Sequence, residues 1–122
     1  MKKILLFGAG KSATVLIDYL LQNAGKEGWQ LIVVDTDLDL ARRKIGDSSF
    51  GVAISFDINF ETERRKHLRE ADIVISLLPP TLHYLVAEDC VELKRNLLTA
   101  SYVDDQIRSL ASKIENNGLL FL

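Results

Sequence analysis

The sequence predicts an α/β fold: a doubly wound, Rossmann-type parallel sheet of six strands in the order 3-2-1-4-5-6, in three layers, helix, sheet and helix. Three observations predict it. Short, continuous apolar runs rich in β-branched residues alternate with amphipathic stretches of helical period. The first run ends on the pattern G-x-G-x-x-A, at Gly8, Gly10 and Ala13. Each later run closes on polar, proline or turn-forming residues, and right-handed crossovers would gather all those closures on one edge of the sheet.

The first strand is Lys2 to Phe7. Gly8 then lets the chain turn sharply, and Gly10, with no Cβ, lets backbone approach phosphate oxygens. Ala13 stands in the third glycine's place and keeps the helix near the strand. The amides from Gly10 to Ala13 are unpaired donors of a first helical turn, aimed at an anion, with a hydroxyl from Ser12 and a charge from Lys11 beside them. The alternative is a strand-to-helix turn that needs glycine for geometry alone; the alignment of the later strand ends argues against it.

A helix follows from about Lys11 to Asn23, with Val15, Leu16, Tyr19 and Leu20 as its apolar residues and Gly25 and Gly28 ending it. Gln30 to Val34 is the second strand. It closes on Asp35, 25 residues after Gly10, near the ~20 expected for the carboxylate that takes the adenosine ribose hydroxyls. A carboxylate there repels the 2′-phosphate of NADP, so NAD is the preferred cofactor; NADP stays possible through Arg42 and Arg43 in the next helix, Asp37 to Ile45.

Val52 to Phe56 is the third strand, and Asp57 and Ile58 follow it where an adenine ring would be pinned. Asp57 is equally a helix cap or turn residue. Glu61 to Glu70 reads as a helix with a solvated, charged face and His67 exposed within it. Asp72 to Leu78 is the fourth strand, closed by Pro79 and Pro80, a ledge on which a nicotinamide ribose could lie. The next helix, Thr81 to Leu93, carries His83 near its start, either as a partly exposed histidine or as a catalytic one, the first being favoured. Asn96 to Thr99 is the fifth strand, with Ser101 and Tyr102 just beyond. A helix capped by Asp104 or Asp105 runs to about Asn117, and Leu119 to Leu122 begin the sixth strand.

A chain of 122 residues, 48% hydrophobic and 26% charged, is the size of one domain with a true core. A net charge of −2 gives no electrostatic footprint for nucleic acid. The apolar stretch Ile4 to Phe7 is too short for a signal sequence or a membrane span. The single Cys90 excludes an intrachain disulfide and a cysteine-built metal site, and cytoplasm is the expected compartment. No metal site is expected.

Ile75 to Pro80 (ISLLPP), His83, Val86, Ala87, Cys90, Lys94 and Leu98 to Asp105 (LTASYVDD) resemble the saccharopine dehydrogenase family, and within it the glutamate-forming half of the bifunctional lysine-degrading members. The resemblance covers the whole chain, its specific part being Ile75 to Asp105. It implies an N-terminal dinucleotide-binding domain whose cofactor contacts come from the glycine turn, Asp35, Asp57, Ile58, Leu77, Leu78 and Pro79. It places Ser101 and Tyr102 beside an amino-acid substrate. The implied chemistry is hydride transfer between nicotinamide and the secondary-amine carbon of saccharopine, with hydrolysis of the resulting imine.

Relatives in the wider family act on carboxynorspermidine, so a polyamine-precursor dehydrogenase is an alternative; a non-catalytic nucleotide sensor of the same fold is another. A self-contained small reductase is disfavoured, since Tyr102 has no lysine four residues on. In that family a substrate domain follows, so the chain is expected to be an excised or truncated domain, inactive alone. No catalytic residue can be assigned. The partners expected are the dinucleotide and, in the full-length protein, a small amino-acid substrate; a homo-oligomer is left open.

Overall fold

The computed structural model of the chain describes residues 2–99. Five parallel strands are present: β1 (Lys2–Phe7), β2 (Trp29–Val34), β3 (Gly51–Ile54), β4 (Ile73–Ser76) and β5 (Asn96–Thr99), in the order β3-β2-β1-β4-β5. The helices are α1 (Thr14–Glu27), α2 (Leu38–Ile45), α3 (Glu61–Glu70) and α4 (Pro80–Leu93), with a 3-10 turn at Lys11–Ala13 leading into α1. The order of the first five strands is the expected one. The expected helix from Asp104 or Asp105 to Asn117, the sixth strand, Ser101 and Tyr102 lie outside the described residues.

β1 is apolar without alternation because both its faces are covered. Ile4 and Leu6 pack against α1 and α2 with Ile17, Leu20, Ala41 and Ile45, while Leu5 and Phe7 face α3 and α4 with Leu68, Val86 and Cys90. Parallel pairing on both flanks, Ile4 opposite Leu31 and Ile73, puts β1 at the centre. Full burial of a side chain such as Phe7 or Leu6 contributes about 1.5–3 kcal/mol.

Three helix readings change. In α1 the buried residues are Ile17, Leu20 and Ala24, while Val15 and Tyr19 are 80% and 58% exposed. Counting every apolar residue as inward mistook two surface positions for core. The helix also runs through Gly25 to Glu27, ending at Gly28 with φ 74°. Gly25 is there for space: a Cβ would meet the Phe50 ring at 3.1 Å. In α3 the expected solvated face is partly wrong, for Arg64 is buried. His67 is half-buried, its ring stacked on Phe56 with centroids 5.4 Å apart.

The strands shift less. β2 starts one residue earlier than expected, and β4 ends at Ser76 because Leu77 and Leu78 already belong to the exit toward Pro79. β3 stops at Ile54, its last partner on β2 being Val34. That frees Ser55 to Phe60 to form a loop over the strand ends.

Candidate functional site

The connections leaving β1, β2, β3 and β4 all emerge at the C-terminal edge of the sheet, where the order reverses between β1 and β4. Gly8 has φ 101°, a conformation L side chains rarely adopt, and its amide donates to Val34 O at 2.8 Å. A Cβ on Gly8 would lie 3.4 Å from the Leu77 carbonyl, so the turns after β1 and β4 pass in contact. Gly8 is thus required by the protein's own geometry.

Gly10 is not. Its φ and ψ of −69° and −170° suit any residue, and a Cβ there would meet nothing within 4 Å. The amide of Ala13 closes the turn onto Gly10 O at 3.0 Å, so it is not the unpaired donor expected of it, and Ala13 is fully buried under the helix start. Lys11 is exposed, and Ser12 lies in the 3-10 turn between them. A glycine with open space before it and helix-start amides behind it forms a cradle that a diphosphate fits.

Asp35 reaches into this turn. Its Oδ2 accepts from the amide of Ala9 and its Oδ1 from the amide of Asp37, both at 2.8 Å. The carboxylate therefore ties the β2 exit to the glycine turn, and both its oxygens are engaged by backbone. Asp37 in turn caps α2, accepting from Leu40 N at 3.1 Å. Arg42 faces a groove with Gly46, Ser48 and Gly51 beyond the far end of α2, and Arg43 Nε contacts Asp39 O of its own helix at 3.4 Å. The structure seats neither arginine beside Asp35.

Between these turns lies a cleft of about 100 Å³ whose walls include Gly8, Asp35, Phe56, Ile58, Leu78 and Leu82. Gly8, Asp35, Ile58 and Leu78 are thus brought together as expected. Phe56, expected to end the third strand, instead leaves the sheet, with its ring edge-on to Phe7 at 6.4 Å. The signal for Phe56 is Ser55, a polar residue that interrupts the apolar run just before it.

Asp57 resolves as a turn residue: its Oδ1 accepts from the backbone and side-chain amides of Asn59 at 2.9 and 3.1 Å, and the α3 cap is Phe60. Leu77 packs against Gly8, and Pro79 caps α4, its carbonyl accepting from Leu82 and His83 amides at 2.9 Å. The β4 wall of the cleft is therefore Leu78 rather than its neighbours. His83 is fully buried with Nδ1 2.7 Å from Ser76 Oγ, so it is neither partly exposed nor turned to the cleft. His83, the fourth residue of the helix that Pro80 opens, thus comes down onto the end of β4, which the sequence alone did not reveal.

Among the described residues no group of three or more His, Cys, Asp or Glu side chains is placed to hold a metal, and no helix is long and apolar enough to cross a membrane. A glycine cradle, a carboxylate at the end of β2 and an apolar cleft at the topological switch define a dinucleotide-binding domain of the doubly wound class. Residues 4–122 match the family described as the saccharopine dehydrogenase NADP binding domain. The chain belongs to that family.

Its relatives include alpha-aminoadipic semialdehyde synthase, mitochondrial, of Bos taurus, 32% identical over 119 residues that make up 97% of this chain and 12% of that protein. Another is the saccharopine dehydrogenase (NADP(+), L-glutamate-forming) of Saccharomyces cerevisiae, 30% identical over 124 residues, 97% of this chain and 26% of that protein. Among solved structures, the apo histidine-tagged saccharopine dehydrogenase (L-Glu forming) of the same yeast superposes with a TM-score of 0.88 at 30% identity, covering 99% of this chain and 26% of that one. The chain thus spans from about an eighth to a quarter of the length of these relatives. The family description supports NADP and not the NAD preference inferred from Asp35. The geometry supplies a reason why that inference fails: the carboxylate serves the turn itself.

Proposed function

We propose that this chain binds NADP as the dinucleotide-binding part of an oxidoreductase acting on saccharopine or a related secondary amine. The amides from Gly10 to Ser12 would hold the diphosphate, with Lys11 beside it. Asp35 would keep the turn in shape, and Phe56, Ile58, Leu78 and Leu82 would pack the adenosine end. The bound cofactor supplies hydride exchange with the secondary-amine carbon of the substrate. This chain's residues supply position and exclude water from the apolar cleft. Ser101 and Tyr102, by family resemblance, would face the substrate.

Among the described residues the cleft walls hold no cation to anchor a substrate carboxylate. The chain alone is therefore expected to bind cofactor without turning substrate over, because hydride transfer needs both partners held in near-attack geometry.

The observation that carries the reading is Gly10, a glycine its own fold does not require. Gly10→Val should leave the thermal midpoint within a few degrees while weakening NADPH binding, read by cofactor fluorescence, by about tenfold or more, since a branched side chain occupies the phosphate's approach. Unchanged affinity in a folded variant would refute the reading.

A further inference from the structure

We propose that the buried ion pair of Arg64 and Asp89 is a positioning device that sets the width of the adenosine end of the cleft; this rests on reading that cleft as a dinucleotide site. Arg64 on α3 and Asp89 on α4 are 5% and 3% exposed, deep for charges, and α3 is otherwise written for solvent. Arg64 Nε binds Asp89 Oδ2, and its Nη1 donates to the carbonyl of Ile58 at 2.8 Å. The second oxygen of Asp89 accepts from Arg65 Nε at 3.1 Å, and Arg65 also binds Glu92.

Such a pair is weak evidence for a stability device. Desolvating two charges offsets most of their attraction, and apolar side chains of similar volume commonly stabilise a fold as well or better. What an apolar pair cannot do is hold a chosen carbonyl. That carbonyl belongs to Ile58, whose side chain forms one wall of the cleft in the loop between β3 and α3.

Leu78 and Leu82, which also line the cleft, stand at the start of the helix that carries Asp89. From Pro80 to Asp89 that helix rises about 13 Å as one rigid body. Arg64 therefore joins these two parts of the cleft through a single helix: Ile58 carbonyl, guanidinium, Asp89, then along α4 to Leu82. The planar fork of arginine serves two acceptors at once in fixed directions, which an ammonium does not.

The test replaces the pair by Arg64→Met with Asp89→Leu and, separately, makes Arg64→Lys. Thermal unfolding, NADPH and ADP affinities and hydrogen exchange across residues 55–60 are measured on each. The double variant should keep its thermal midpoint within a few degrees, lose about tenfold in affinity for both ligands, or about 1.4 kcal/mol, and exchange faster at 55–60 but not in α1. Arg64→Lys should show a smaller loss with the fold intact. If the double variant folds and binds like the wild type, the positioning role is overturned while the dinucleotide reading stands. If it does not fold, unchanged ADP affinity in Arg64→Lys overturns the role. A wild-type chain that binds neither ligand overturns both.

Discussion

Cys90 sits fully buried on α4 beside Asp89, and burial, reinforced by that carboxylate, pushes its thiol up to about 12 from an ordinary 9.0. The folded chain then holds a proton that the unfolded chain releases, so this contribution is whole below about pH 9 and drains away between about 9 and 12. In that window stability falls by up to about 1.4 kcal/mol per pH unit. Urea unfolding of wild type and Cys90→Ala at pH 8, 9.5 and 10.5 should show the difference between them shifting by about that amount over the last step; a flat difference would count against it. Asp35 offers a second residue-level expectation. Because both its oxygens hold backbone amides, Asp35→Ala should weaken NADP and NAD alike, by several-fold for two lost charge-assisted hydrogen bonds. Parallel titrations decide it: tighter NADP with weaker NAD would restore the carboxylate as the selector.

At the scale of elements, what could be read from the residues was whatever depends on period and punctuation. The five described strands and the glycine turn were legible because a strand buried on both faces has no alternative use for Ile4 to Phe7 or Leu31 to Val34. The helix faces were less so. Val15 and Tyr19 share their spacing with Leu16 and Leu20, and only the position of β1 tells which pair turns inward. α3 was misread for a different reason. Its residues Glu61 to Glu70 carry charges on every side, and the partner that draws Arg64 inward, Asp89, is 25 positions away on another helix. Likewise nothing local marks His83 as buried; Ser76, its partner, lies across a double-proline turn. The glycine turn was legible as a motif, yet the distinction between Gly8, needed for folding, and Gly10, whose glycine the fold does not require, needed the distances around each.

For the molecule as a whole, the functional edge is a property of handed crossovers, which deliver the ends of β1 to β4 to one side irrespective of loop sequence. The same topology makes the halves interdependent. Among the described residues, Leu5 and Phe7 are covered by α3, α4 and their neighbours, and β1 takes its second partner from β4. A chain cut after residue 58 should retain β1 to β3 yet aggregate, because the inner strand becomes an apolar edge. Light scattering beside the intact chain checks this, and a clear monomeric solution of folded fragment would contradict it.

That interdependence reaches back to synthesis. Ile4 pairs with Ile73, 69 positions later, and at roughly 5–20 residues per second a ribosome needs several seconds to deliver the partner. Through that interval β1, greasy on both sides, waits half enclosed. Until then the nascent polypeptide presents an unpaired apolar edge of the kind chaperones bind, and slow codons between α2 and β4 would lengthen its exposure.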